Sequence, residues 1–185
     1  MRVIAGKLRS RQLKSVPTRS TRPTTDQNKE NLFNIIGPYF NGGICLDLFA
    51  GSGGLGIEAI SRGMDRLYSV DKQYKAFQTI RENFQSLKIE DHCFAFKMDY
   101  SKALKKFSDD GLLFDLVLLD PPYGMKINKN IVYYLLEHHM LQPGCLIVVE
   151  DLKEEAIELE GPFVLKKQQN YGITSIQIWK YEESL

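Results

Sequence analysis

Apolar and polar positions along the chain follow two periods that alternate. Short runs at ICLDLF (44–49), RLYSV (66–70), CFAFKM (93–98), FDLVLLD (114–120) and CLIVVE (145–150) are nearly continuous in hydrophobic residues, as strands buried on both faces require. Between them the spacing becomes helical, and Tyr74, Phe77, Ile80, Phe84 and Leu87 predict a buried stripe along one helix. Strands separated by helices predict a parallel sheet covered on both sides. At the carboxyl end the alternation stops. FVLKKQQ (163–169) and ITSIQIWKY (173–181), joined by Asn170-Tyr171-Gly172, predict an antiparallel hairpin. The expected fold class is α/β, a doubly wound Rossmann-like sheet that ends in an antiparallel hairpin.

The first residues break this pattern. RVIAG (2–6) and RQLKSV (11–16) are candidate strands of a short basic β-hairpin with Gly6 near its turn. Pro17 and Pro23 bracket a polar linker, and Thr24 with Gln27 three residues on predicts a capping box. The helix it opens runs through about Ile36, where Gly37-Pro38 ends it. The expected division is a basic hairpin arm over 1–22 and one catalytic domain over 23–185.

Composition adds limits to this outline. A chain of 185 residues, 43% hydrophobic, fills one such domain, and a monomer is the expectation. No apolar stretch approaches the roughly 20 residues that cross a bilayer, and MRVIAGKLRSRQLK contains no hydrophobic run that would act as a signal peptide. The expectation is a cytoplasmic protein with no membrane contact. Cys45, Cys93 and Cys145 each stand alone in an apolar run, which predicts buried, reduced thiols. His138-His139 closes an amphipathic helix with no carboxylate-rich motif beside it, so no metal is expected.

Charge changes the picture more. The net +1 conceals an arm with Arg2, Lys7, Arg9, Arg11, Lys14, Arg19 and Arg22 and no acid; the rest of the chain holds 17 basic against 23 acidic residues. Cations on such an arm suit a polyanion, because each one placed on a phosphate releases condensed counterions. Arg2, Lys7, Arg9, Arg11 and Lys14 are the candidate nucleic-acid contacts. Val3, Ile4, Leu8, Leu13 and Val16, interleaved with them, have no use in a purely solvated tail.

The cofactor signal is LDLFAGSGGLG (46–56). Gly51, Gly53 and Gly56 satisfy G-x-G-x-x-G between a strand and a helix, and Asp71 ends the next strand. Glycines admit a ligand close to the backbone, and an acid at the second strand end accepts hydrogen bonds from ribose hydroxyls. The motif alone also permits an NAD enzyme. Asp47, within the first strand, favours S-adenosylmethionine, whose ammonium is attracted by a carboxylate and which has no pyrophosphate to cradle. Asp99 can accept from an adenine amino group, cap the helix that follows, or do both, with Met98 and Tyr100 flanking the ring. The candidate cofactor set is Asp47, Phe49, Ala50, Gly51, Ser52, Gly53, Asp71, Lys72, Met98, Asp99 and Tyr100.

The catalytic candidate is Asp120-Pro121-Pro122-Tyr123, directly after the buried strand FDLVLL. The lone pair of an aromatic amine is delocalised into its ring, so a catalyst must hold the geometry in which that pair faces the methyl carbon. The Asp120 carboxylate and the Pro121 carbonyl supply two acceptors for the two amine hydrogens, and the prolines stiffen the loop. Positive charge developing on the nitrogen is stabilised by Asp120, and Tyr123 offers a face on which an extruded base stacks. An ordinary turn with a packed tyrosine would have the same composition.

With these residues in view, the chain resembles the RsmD family, which methylates the 2-amino group of a guanine in small-subunit ribosomal RNA. The likeness spans RVIAGKLRSRQL, TRPTTDQNKENLFNII, CLDLFAGSGGLGIEAISRG, LLDPPYG and YGITSIQIWKY. It implies a class I methyltransferase sheet, S-adenosylmethionine as cofactor, and ribosomal RNA or the small ribosomal subunit as partner. It also implies that the basic hairpin faces RNA and that Arg22, Thr24 and Thr25 line the cofactor pocket. The guanine follows from the resemblance alone. A DNA adenine methyltransferase would use the same acceptors but usually needs an added region to read a groove. An RNA-binding assembly factor that keeps the fold without the chemistry is the alternative from another class.

Overall fold

Three short stretches with β-branched or aromatic residues, Ile44–Asp47 (β1), Arg66–Asp71 (β2) and Cys93–Lys97 (β3), form one half of a parallel sheet in the computed structural model. The structure describes residues 1–17 and 24–183. Phe114–Leu119 (β4) pairs with the other side of β1, and Leu141–Leu152 (β5) continues the parallel sheet outward. Phe163–Tyr171 (β6) and Thr174–Tyr181 (β7) close it, with β7 antiparallel to both neighbours. The resulting order, β3-β2-β1-β4-β5-β7-β6, reverses direction between β1 and β4. Ligands of such sheets bind outside the strand carboxyl ends at that reversal.

Helices Asp26–Ile36 (α1), Gly54–Ser61 (α2) and Tyr74–Leu87 (α3) cover one face, where their apolar side chains join Cys45, Leu116, Leu118 and Val148 in a single cluster. Tyr100–Asp109 (α4) and Asn128–Glu137 (α5) cover the other face over Leu46, Val117, Leu119 and Val149. Alternation along β4 sends Leu116 and Leu118 to one layer and Val117 and Leu119 to the other. The three cysteines are buried and free, and burial pushes the Cys93 thiol up to about 12. His138 stacks on Tyr134 at the end of α5, with ring centroids 3.8 Å apart.

Several local expectations change. The N-cap of α1 is Thr25, which accepts from the Asn28 backbone N–H; the capping box centred on Thr24 is displaced by one residue. Tyr74 is solvent-exposed and Phe77 half-buried, and the buried stripe of α3 runs through Ala76, Ile80, Phe84 and Leu87, so the apolar layer covers the later turns of the helix and not its first. The closing hairpin turns at Gly172-Ile173, with Tyr171 paired to Thr174. Gly172 takes the positive φ the tight turn needs, at +58°, which leaves Asn170 and Tyr171 in the strand.

The arm is hairpin-like, but only one bridge, Arg2 with Gln12, replaces the two expected strands. Its backbone bonds itself, Val3 N–H to the Arg11 carbonyl and Leu13 N–H to the Met1 carbonyl, and bonds α2 as well. Ile4 and Ala5 donate their N–H groups to the Glu58 carboxylate, and Lys7 donates its backbone N–H to the Ser61 carbonyl. Val3 and Leu13 are buried within the same apolar cluster as α1 and α2. Gly6, with a φ of +88°, lies so close to Ser61 that an added Cβ would sit 1.9 Å from its carbonyl oxygen. The interleaved apolar residues therefore anchor the arm, which excludes a solvated tail over residues 1–17.

Candidate functional site

The candidate residues converge along the carboxyl edge of the parallel strands. β1 ends in Asp47, whose buried carboxylate accepts from the Gly56 N–H at 3.3 Å and so ties the strand to the helix after the glycine loop. Burial pushes its pKa up to about 7 against the lowering effect of that hydrogen bond, and the Asp71 charge adds to the rise. Gly56 is required by packing, since a Cβ there would lie 2.6 Å from a Leu67 methyl. Gly53 caps α2 with a φ of +87°, a conformation that costs glycine nothing. A side chain on Gly51 would project into open space, so its absence leaves the backbone of the loop accessible.

Asp71 holds the loop from the neighbouring strand. One of its oxygens accepts from the Gly51 N–H at 2.9 Å and the other from the Gln73 N–H at 2.9 Å. Each oxygen retains a second lone pair for a ligand hydroxyl. Ala50 anchors the loop on β2 through the Val70 carbonyl, and Ser52 contributes its carbonyl to the Asn83 amide. Lys72 is exposed just beyond Asp71. On the opposite side Phe49 and Tyr100 face each other, with ring centroids 5.6 Å apart, and Met98 is half-buried beside them.

Asp99 caps α4, accepting from the Ser101 backbone N–H at 2.9 Å and the Ser101 hydroxyl at 2.6 Å. These bonds hold its carboxyl below the usual carboxylate range, with a smaller contribution from Lys72. Both bonds use one oxygen, Oδ1, so capping does not preclude an external donor at the other.

Asp120 follows β4 and lines a cavity together with Thr24, Asn28, Leu32, Leu55, Leu118, Val148, Glu150 and Ile176. Part of the carboxylate reaches the cavity, but the surrounding apolar wall leaves it poorly hydrated. Desolvation, then the charges of Glu150, Asp47 and Asp151, raise its pKa well above the usual carboxylate value. Pro121 is buried at the strand end, and Pro122 and Tyr123 are exposed. The loop is fastened downstream as well: the Gly124 N–H donates to Glu155 at 3.3 Å, and the buried Asn128 amide donates to Asp151 at 2.7 Å. A loop fixed at both ends keeps the Asp120 carboxylate near one position, which positional catalysis requires.

Not every candidate arrives at this edge in the same way. Thr24 lines the cavity, Thr25 is occupied as the α1 cap, and Arg22 lies outside the described residues. In the arm, Arg2 pairs with Asp26 at 3.0 Å, Lys14 pairs with Glu82 at 3.0 Å, and Arg11 donates to the Ser86 carbonyl at 2.8 Å. Lys7 and Arg9 are exposed. Two further cavity residues, Asn28 and Glu150, belong to no motif in the sequence. Asn28 is hidden inside a helix-start pattern, and Glu150 is hidden as the last letter of an apolar strand. The one signal in the sequence is that an acid closes the apolar run CLIVVE, as Asp120 closes FDLVLLD, although β5 itself continues to Leu152.

A reversing parallel sheet with a glycine turn after β1, acids ending β1 and β2, and Asp-Pro-Pro-Tyr after β4 is the class I methyltransferase fold. A family model described as "Conserved hypothetical protein 95" matches residues 1–180, and the chain belongs to that family, the RsmD family. It is 44% identical to "Putative rRNA methyltransferase YlbH" of Bacillus subtilis over 97% of this chain and 98% of that protein. It is 33% identical to "Ribosomal RNA small subunit methyltransferase D" of Haemophilus influenzae over 97% of this chain and 93% of the relative. Among solved structures, "Putative methyltransferase yhhF from Escherichia coli" superposes with a TM-score of 0.85 at 28% identity, over 100% of this chain and 99% of that one. An RNA methyltransferase from Salinibacter ruber, in complex with S-adenosyl-L-homocysteine, shares the fold at a TM-score of 0.65 and 18% identity, over 89% of this chain and 96% of that one.

Among the described residues, no helix is long and apolar enough to cross a membrane, and no group of three His, Cys, Asp or Glu side chains is placed to hold a metal ion.

Proposed function

We propose that the chain transfers a methyl group from S-adenosylmethionine to the exocyclic 2-amino group of a guanine in small-subunit ribosomal RNA. The observation that carries this reading is the position of Asp120. Its carboxylate stands in a cavity beside the start of α2, at the sheet reversal, on a loop fixed at both ends. The ribosomal substrate is supported by the names of the relatives and by the length over which they match, and the guanine by the resemblance to the RsmD family.

The residues present fit the cofactor. The open space at Gly51 and the positive-φ turn at Gly53 admit a ligand against the backbone, and the buried Asp47 carboxylate suits an ammonium. When bound, S-adenosylmethionine supplies a methyl carbon made electrophilic by the adjoining sulfonium. Asp47 holds the amino-acid end, Asp71 accepts from ribose hydroxyls, and Asp99 with Met98, Tyr100 and Phe49 forms the adenine side.

Asp120 and the Pro121 carbonyl accept from the two hydrogens of the target amine, which turns its lone pair out of conjugation. An N–H donor facing Asp120 favours the ionised carboxylate, which stabilises positive charge as it grows on the nitrogen. As the N–C bond forms the electron pair of the C–S bond stays with sulfur, and the nitrogen gives up one proton to the Asp120 carboxylate or to water. Tyr123, at the mouth of the loop, stacks the extruded base, a contact that contributes about 1–3 kcal/mol. Lys7 and Arg9 meet phosphates directly. Arg2, Arg11 and Lys14 exchange exposed intramolecular contacts, each worth roughly 0–1 kcal/mol, for phosphates. The arm over 1–22 and the domain over 23–185 then act as one RNA-facing unit in a monomer in the cytoplasm.

The test is to incubate the protein with methyl-labelled cofactor and separate pools of ribosomal RNA, assembled small subunits and DNA, and then map the labelled nucleotide. N2-methylguanine in small-subunit RNA is expected. N6-methyladenine in any pool would transfer the assignment to the adenine reading.

A further inference from the structure

The carboxylate beside Asp120 has no role in the methyl transfer itself. In the parallel pairing of β4 with β5, Leu118 lies opposite Val148 and Leu119 opposite Val149, so the next residues, Asp120 just past β4 and Glu150 within β5, come abreast at the carboxyl end of β4. Alternation sends both to the face where Leu118 and Val148 sit, and all four side chains line the same cavity. Among the described residues the Glu150 side chain makes no hydrogen bond and no ion pair, while its backbone is paired with β7. Burial and the neighbouring acids raise its pKa, as they do for Asp120.

Two adjacent acceptors in an apolar cavity define the ligand edge they can satisfy. Asp120 is already assigned to an exocyclic amine, so the atom next to that amine on the base must face Glu150. In guanine the neighbour of the 2-amino group is N1–H, a donor. In adenine and cytosine the neighbour of the amine is a ring nitrogen with a bare lone pair, which a carboxylate repels. A donor next to a donor occurs on the Watson–Crick edge of guanine alone among the four bases.

We infer that Glu150 is the specificity-determining residue that accepts N1–H of the target guanine while Asp120 accepts from the 2-amino group. The inference rests on the methyl-transfer reading above and supplies what that reading lacked, a residue-level reason for guanine over adenine. A site built around a hydrogen bond rejects an analogue that lacks the donor, because the buried acceptor is left unpaired.

The experiment compares RNA containing guanine at the mapped nucleotide with RNA containing 2-aminopurine there, a base that keeps the 2-amino group but presents a lone pair at N1. For the wild-type protein we expect kcat/KM to be lower for 2-aminopurine by a factor of roughly 100 or more. Glu150→Gln, whose amide can donate to that lone pair, is expected to narrow the ratio at least about tenfold, with cofactor affinity unchanged. Equal wild-type rates on the two bases would overturn the inference without any variant having to fold. So would a Glu150→Gln protein that loses the same factor on both, or one that binds cofactor more weakly, which would place Glu150 on the cofactor instead. Mapping on unsubstituted RNA is a separate arm: a methyl group found elsewhere than guanine N2 defeats the functional reading itself.

Discussion

Two sets of buried charge lie on the same face of one sheet and are built in opposite ways. Glu58 is fully enclosed and fully answered: Arg62 lies 2.9 Å away, Lys29 lies 3.6 Å away, and the backbone N–H groups of Ile4 and Ala5 complete its shell. Arg62 also donates to the Pro38 carbonyl and lies over the Phe33 ring, and Lys29 donates to the Arg2 carbonyl. Asp120 and Glu150 stand side by side in the lining of a cavity, and among the described residues no cation lines it with them. The first arrangement holds the molecule together. The second is left unfinished by the protein, and a ligand with hydrogen-bond donors completes it.

Removing a charge from each set should have opposite effects on stability. Asp120→Asn is expected to lower kcat by about 10²–10³-fold or more, since it removes the charge that stabilises the transition state. The same variant should raise the thermal midpoint by roughly 2–4 °C, because it relieves about 1 kcal/mol of like-charge repulsion. A variant that was inactive but also less stable would show that Asp120 serves the fold. Glu58→Ala should do the reverse. It strands two buried cations and two amides, a loss of about 3–5 kcal/mol, readable as a lower urea midpoint. Methyl transfer measured well below that midpoint should survive.

Asp47 stands between these extremes, buried and, among the described residues, with one hydrogen-bond donor and no cation. Its pKa is pushed up to about 7, whereas in the unfolded chain it lies at about 4. Between those limits the folded protein holds a proton that the unfolded chain has released, so its contribution to stability falls as pH rises across the window and is level above it. An ammonium ligand needs the ionised form, so cofactor affinity should increase as pH rises through about 7. Asp47→Asn should flatten both profiles, as calorimetry across pH 5 to 8 would show; cofactor binding independent of pH in the wild type would remove Asp47 from ammonium recognition.

The smallest expected effect concerns the arm. Deleting residues 1–16 is a poor test, because it removes Val3 and Leu13 from the core and opens the Glu58 shell. Lys7→Glu and Arg9→Glu leave that anchoring in place. Each should reduce the slope of log affinity against log salt by roughly 0.7–0.9 for every phosphate the arm no longer neutralises. Unchanged slopes would locate the RNA elsewhere.

Most of the sheet was legible because strand and helix periods differ and because a parallel strand is apolar on both faces. The glycine turn was legible because steric demands at Gly53 and Gly56 leave few alternatives. What escaped was tertiary in origin. Nothing local to Glu58 announced that it would gather partners from residues 4, 5, 29 and 62, since each looks like an ordinary helix or arm residue until the fold brings them together. Glu150 acquires meaning only through its register with Asp120. Tyr74 misled because helical spacing marks a stripe without showing which turns of the helix the core covers.

Helix α1 belongs to both regions at once. Its Lys29 grips the carbonyl of Arg2 in the arm, and Asn28 and Leu32, on either side of it in sequence, form part of the wall around Asp120 and Glu150. The attachment of the arm and the wall of that chamber therefore share a single turn of one helix, so the arm cannot be shifted at Arg2 without loading the element that shapes the chamber.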